Sequence, residues 1–254
     1  MPFTLSHTVV AIPLLRYRRF LEPVALVIGT MVPDAGYFIA GLPRSHATHS
    51  LSGSFLTALP VGMMLWVLVA LIGCRSSSLI PASFRSLLLP QLAAMRAPRS
   101  ILLAVPSLWV GIASHNFLDA FTHPHGWFVE RLPLLQKSLG SLPLLGELTV
   151  FHLGQHLGTI SGVLCLSVLA LRRIRKYPFT RSDWNKSIIG LVILLVAFLM
   201  ALPDALSLSS RFEGNLAVRV LVVEALVTTI SQFVILFVGV SLAWGLLVKK
   251  ETSP

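Results

Sequence analysis

The chain has 254 residues, of which 55% are hydrophobic and only 12% charged, with a net charge of +10. A soluble domain carries about 25% charged residues, so this composition excludes an ordinary water-soluble enzyme and points to a membrane domain. The basic excess follows the loops between apolar runs, which gives it a topological cause and no need of nucleic acid.

Seven apolar runs follow one another. The first, Leu5–Leu15, holds His7 and is too short to cross a bilayer, so it reads as a half-span. The basic run Arg16, Arg18, Arg19 comes next, and then Pro23–Leu42 with Asp34 in its outer half. The loop 43–54 carries Arg44, His46 and His49 before the run Phe55–Gly73. Arg75, Arg85, Arg96 and Arg99 precede Ile101–Phe121, where His115 and Asp119 stand four residues apart and so share a helix face. His123 continues that row, and Pro124 ends or bends the helix, leaving His123 and His125 at its rim. The loop 122–150 also holds Trp127 and Phe128, suited to the bilayer interface, with Arg131, Lys137 and Glu147. Arg131, Lys137 and Arg44 are the basic groups that could meet a phosphate, although solvated side chains are the plainer reading. His152 and His156 open the run Phe151–Leu171, again four apart. Ser187–Ala205 and Val220–Val248 complete the set and are almost purely aliphatic, apart from Asp204 at a helix end and Glu224 and Gln232, which suit helix–helix hydrogen bonds.

This order predicts an all-α polytopic membrane protein with about six full spans and a short N-terminal half-span. It reads as one membrane domain over 1–254, with His/Asp-bearing helices in 1–171 and aliphatic spans in 172–254. Alternate loops hold 15 and 5 of the 20 Lys and Arg residues. The positive-inside rule then places the C-terminus in the cytoplasm and the loops 43–54, 122–150 and 206–219 outside, in a plasma (inner) membrane. Cys74 and Cys165 lie far apart at or within apolar runs and form no disulfide framework.

All eight histidines lie in the first 156 residues. His7 precedes the basic turn by nine residues, about 13 Å of helix; Asp34 follows it, so the two sit on the arms of one hairpin and reach the same outer layer as the other histidines. A carboxylate at bilayer depth costs roughly 2.5 to 3.5 kcal/mol on insertion scales. Imidazole and carboxylate donors suit Zn2+, and also Mn2+, Fe2+ or Ni2+. Such an ion offsets the burial cost and activates a coordinated water for attack at neutral pH. The alternative for His115 and Asp119 is a buried hydrogen-bonded pair that only fixes helix packing. For Asp34 after Pro33 it is a helix N-cap.

Several of these residues also carry a resemblance. The opening MPFTLSH, PD at 33–34, HS at 49–50, the pattern SHxxxDxFTHPxGW at 114–127 and QH at 155–156 resemble a bacterial membrane family catalogued as domain of unknown function 4184. That family is similar to membrane-bound metal-dependent hydrolases and, distantly, to the zinc-dependent phospholipase C and single-strand nuclease group. The resemblance implies metal ligands at His7, Asp34, His49, His115, Asp119, His123, His152 and His156. Asp34, Asp119 and His156 are its catalytic candidates. The soluble enzymes carry Glu where this chain has His156, and one or two ions are expected rather than three. Three functions then compete. A hydrolase of phosphoesters in lipid or envelope substrates needs an open outward pocket at the metal. An ion or small-molecule transporter needs polar residues at several depths. A non-catalytic scaffold needs a closed metal shell.

Overall fold

A computed structural model describes residues 4–42, 46–142 and 146–251, the side chains of 46–47 and 248–251 excepted. Arg44 lies outside the described residues, as does the His46 side chain. The architecture is helical, with one small antiparallel hairpin, Ser138–Leu142 with Gly146–Thr149, that the apolar pattern does not announce. Gly146, paired with Leu142 at the start of the second strand, has φ of 75°, a conformation that favours glycine.

Among the described residues, five helical stretches are long and apolar enough to cross a membrane: Leu51–Ser76, Pro98–Arg131, Val150–Lys176, Arg181–Ser209 and Gly214–Leu247. Four of them overrun their apolar runs at both ends, and Gly214–Leu247 starts ahead of its run, because a helix continues past an apolar run into polar and charged residues. The run Pro23–Leu42 is not a sixth continuous helix. It breaks into Pro23–Gly29, a 3-10 turn at Val32–Asp34, and Ala35–Phe38. Pro33 has no N–H to give to the preceding turn. The Asp34 N–H bonds to the Met31 carbonyl at 3.1 Å, which leaves the Thr30 carbonyl without its regular helical partner.

The chain packs as two compact units, Met1–Val67 with Ala94–Arg172, and Leu68–Ala93 with Arg173–Pro254. The first unit is built around Pro98–Thr122. Proline at the first helical position starts this helix, and extended His123 before Pro124 ends it. Its inward row is Ala104, Leu108, Gly111, Ile112, His115 and Asp119, all buried and spaced by three and four. The Pro23–Gly29 helix crosses that row so closely that a Cβ on Gly29 would run into the Leu108 carbonyl, and one on Gly111 would meet Gly29 Cα at 2.7 Å. Beside the crossing, Val32, Ala35, Ala58 and Ile112 form a buried apolar cluster. Val150–Lys176 meets the N-terminal 3-10 helix Thr4–Val10, where Gly162 lies against Ser6.

Glu22 is buried in this unit and was not singled out by the sequence pattern. It caps the Pro23–Gly29 helix by accepting from Ala25 N–H at 2.5 Å, and it accepts from Trp66 Nε1 at 2.8 Å. Its own N–H donates to Ser107 Oγ at 2.7 Å. Glu22→Ala is expected to lower stability by about 2–4 kcal/mol, since each orphaned buried donor costs about 1–3 kcal/mol. Glu22→Gln, which keeps the acceptor, should stay near wild type. Thermal unfolding in detergent reads the difference; equal unfolding temperatures for the alanine variant and wild type would refute this role.

In the second unit, Asp183 serves two helix starts. One carboxylate oxygen accepts from Ala82 N–H at 2.6 Å, and the other closes a capping box with Thr180. Arg181–Ser209 packs against the Gly214–Glu251 helix. It buries Ile193, Ala197, Ala201 and Ala205 and exposes Ile188, Leu191, Val192 and Leu195. Small residues inside and large aliphatic ones outside are the packing of helices whose surroundings are hydrocarbon. Glu224 accepts from Thr228 Oγ1 within its own helix at 3.4 Å, and Asp204 is exposed.

Candidate metal centre

Four side chains from three parts of the first unit converge. His115 and Asp119 come from one face of Pro98–Thr122, Asp34 from the break after Pro33, and His49 from the residue just before the N-cap of Leu51–Ser76. Ser50 is that N-cap and accepts from Gly53 N–H at 3.0 Å, which fixes where His49 leaves the helix. One ligand atom from each of the four lies within 4.8 Å of all the others. Asp34, His115 and Asp119 are buried, and the His49 side chain is 21% exposed.

Five of the six spacings fall between 3.1 and 3.8 Å. His49 Nε2 is 3.5 Å from Asp34 Oδ1, 3.1 Å from Asp119 Oδ2 and 3.2 Å from His115 Nε2. His115 Nε2 is 3.8 Å from Asp34 Oδ1 and 3.2 Å from Asp119 Oδ2. Donors about 2.0–2.1 Å from a tetrahedral ion stand roughly 3.3 Å from one another. The donor set therefore has the elements and the spacing of a cation site.

Hydrogen bonding explains the orientation. His115 Nδ1 is 2.8 Å from the Thr30 carbonyl, the one freed by the break at Pro33, and a carbonyl only accepts. The Nδ1 proton is therefore committed, and Nε2 presents its lone pair to the cluster in neutral histidine. A proton on His49 Nε2 can serve one neighbour, while the other contacts set lone pair against lone pair. A cation held by these four residues would resolve that conflict. Thr4 Oγ1 donates to Asp34 Oδ2 at 2.7 Å, which leaves Oδ1 to face the cluster. Asp34 stands at the N-cap position of Ala35–Phe38 but makes no capping bond, so its carboxylate serves the cluster instead.

His7 and His123 reach the outer side of Asp119. His7 Nε2 and His123 Nδ1 each lie 3.5 Å from Asp119 Oδ1. His7 stacks on His115 with ring centres 4.1 Å apart. Both His7 ring nitrogens and Asp119 Oδ1 are buried without a hydrogen-bond partner. His152 and His156 are half-buried and fall outside the four-residue group. The Val150–Lys176 helix turns Phe151, Gln155 and Gly162 inward, and each of the two histidines follows an inward residue by one position, about 100° around the helix. His152 Nδ1 lies 3.2 Å from Thr149 Oγ1.

A cavity of about 630 Å³ opens onto the cluster. Asp34, His49 and Asp119 line it together with Asn116, His123 and Arg131. Asn116 Nδ2 donates to Ser54 Oγ at 2.8 Å, while its Oδ1 is buried and unpartnered. Ser54 opens a π-helical turn, Ser54–Ala58, a distortion that recurs at functional sites.

A family model described as Domain of unknown function (DUF4184) matches residues 1–248. The chain belongs to this family. No curated protein and no solved structure matches it. The DUF4184 match takes in every residue of the cluster, the cavity and both compact units up to residue 248.

Thr4, Glu22, Asn116 and the Thr30 carbonyl belong to this architecture and escaped the sequence reading. Thr4 and Asn116 are ordinary polar residues with no spacing signal. The Thr30 carbonyl had one legible cue, the proline three positions on.

Proposed function

We propose that this chain is a membrane-embedded metal-dependent hydrolase that cleaves a phosphoester bond in a lipid or envelope substrate. The observation that carries the reading is the set Asp34, His49, His115 and Asp119, spaced as ligands of one cation at the floor of an open cavity. The ion, Zn2+ or one of Mn2+, Fe2+ and Ni2+, would supply Lewis acidity and an activated water. His7 and His123 at Asp119 Oδ1 support a place for a second ion.

The chain's own residues supply the rest. His115 is held by the Thr30 carbonyl and Asp34 by Thr4, so two ligands keep their geometry when substrate enters. If only one ion is held, His123, which lines the cavity, keeps its lone pair and can take a proton from an attacking water as general base. Asn116, fixed by its bond to Ser54 Oγ, shapes the cavity wall beside the donors. A bilayer substrate fits exposed Trp127 at the cavity wall. The positive-inside count supports a plasma membrane orientation with the C-terminus cytoplasmic and the site outward.

A transporter would need polar groups that continue away from the cluster. Among the described residues of this unit, the other buried carboxyl group, Glu22, is taken up by a helix cap and Trp66. A scaffold would need its metal enclosed, and here three of the four ligands line an open cavity.

Chelation tests the reading. Purified protein stripped with a chelator is expected to lose hydrolysis of phosphodiester and lipid-headgroup substrates, and Zn2+ or Mn2+ added back is expected to restore it. Hydrolysis that survives complete metal removal, or no hydrolysis by metal-loaded protein across both substrate sets, would defeat the proposal.

A further inference from the structure

The cavity that begins at the histidine and aspartate donors also reaches Arg131. Arg131 is the one Lys or Arg among its described lining residues. Its Nη1 donates to the Trp127 carbonyl at 3.1 Å, and its guanidinium lies 4.3 Å from the centre of the Trp127 ring. The carbonyl bond uses one of five N–H donors, and the indole face restrains the fork without consuming the others. A long surface side chain is thereby held in place before any ligand arrives.

Charge identifies the ligand. Three acidic residues line the cavity: Asp34, Asp119 and Glu130. Glu130 lies 3.8 Å from His125 across the rim. Asp34 and Asp119 face the histidine cluster, where a bound dication would balance both. Arg131 is then a fixed cation with no carboxylate of its own among the described ion pairs. A guanidinium fork matches the paired oxygens of a phosphate, and charge-assisted bonds of this kind are about twice as strong as neutral ones.

We infer that Arg131, seated on Trp127, is the oxyanion-binding residue of this cavity and selects ligands that carry a phosphate group. The inference rests on the hydrolase reading and adds the determinant of its substrate class. Arg131 grips a non-bridging phosphate oxygen pair and orients the ester toward the donors on the cavity floor. The same chemistry is offered by a water-soluble phosphate ester and by a lipid headgroup. Trp127 lines the cavity and is exposed, as are Leu132 and Leu134 just after Arg131 in the chain, which suits a headgroup whose chains remain in the bilayer.

The test uses the full chain, loaded with Zn2+, and two probes read by phosphorus NMR titration. One probe is inorganic phosphate with protein in detergent micelles. The other is phosphatidic acid in phosphatidylcholine nanodiscs. Bound zinc and unfolding temperature are measured for every sample. Arg131→Ala is expected to weaken binding of at least one probe by about tenfold or more, the scale of losing a charge-assisted bond. Arg131→Lys should fall between the two, and zinc content should not change. Should Arg131→Ala unfold early, Arg131→Gln, which keeps a donor for the Trp127 carbonyl, is judged by the same criterion. Tighter binding of phosphatidic acid than of phosphate, lost in the variant, supports the inference with a lipid source; equal binding, lost in the variant, supports it with a soluble one. Wild-type affinity in the alanine variant for both probes, or no binding of either by zinc-loaded wild type, overturns the inference. Zinc-loaded wild type that binds phosphate through Arg131 yet hydrolyses neither phosphodiester nor lipid-headgroup substrates would sink the hydrolase reading and keep this one.

Discussion

A His115→Ala/Asp119→Ala double variant is expected to emerge from purification without the metal that the wild type carries. The two residues supply donor atoms to the same point from one helix face, 3.2 Å apart. Asp119 also offers its second oxygen to His7 and His123, so its loss empties both sides of the site. Loss of a residue that merely supports a ligand costs about 10–100-fold in metal affinity, and loss of two ligands should exceed that range. Elemental mass spectrometry should find about one or two ions per wild-type chain and background in the variant. Asp119→Asn is the sharper companion, because it keeps the shape and removes the charge. A folded wild type that holds no zinc, manganese, iron or nickel even after these are added back would end the metal reading. The four side chains would then be a hydrogen-bonded packing motif.

The second large effect is expected at the helix crossing. Gly111→Ala should destabilise the protein by about 3 kcal/mol, at the upper end of the usual cost of overpacking. The reason is the identity of the obstacle. The added carbon meets Gly29 Cα at 2.7 Å, and backbone has no rotamer by which to move aside. The Pro23–Gly29 helix must shift as a body, and Thr30 goes with it. His115 lies one turn beyond Gly111, and its Nδ1 bond ends on the Thr30 carbonyl. The variant should therefore lose metal affinity although it alters no ligand. Unfolding temperature and bound zinc, measured together, check both halves. Two unchanged values would mean that the helices do not cross at these glycines.

Much of the site was legible because its logic is written in spacing. His115 and Asp119 are four apart in an otherwise apolar run, and a charge there demands a partner. Asp34 was visible for the same reason. The long helices were legible from their apolar runs, although Pro23–Leu42 looked continuous when only its length was considered. Pro33 held the correction. Less legible was the direction in which each histidine points. His152 and His156 satisfy an i, i+4 rule as well as His115 and Asp119 do, and periodicity cannot say which face turns inward. That choice follows from the contact of Gly162 with Ser6, made across more than 150 residues. Glu22 was hidden by company, since an acidic residue beside a basic run looks like loop.

The exposed leucines and buried alanines of Arg181–Ser209 also forecast how this sequence tolerates change. In a water-soluble helix, trimming a large aliphatic residue to alanine is the damaging substitution, because large residues fill the interior. Here the rule is reversed. Leu191 or Leu195 can shrink with little consequence, because lipid chains flow into the space left behind. Enlarging Ala197 or Ala201 pushes against a neighbouring helix that has nowhere to go. Along this helix, natural variation should accumulate at its greasiest positions and halt at its smallest.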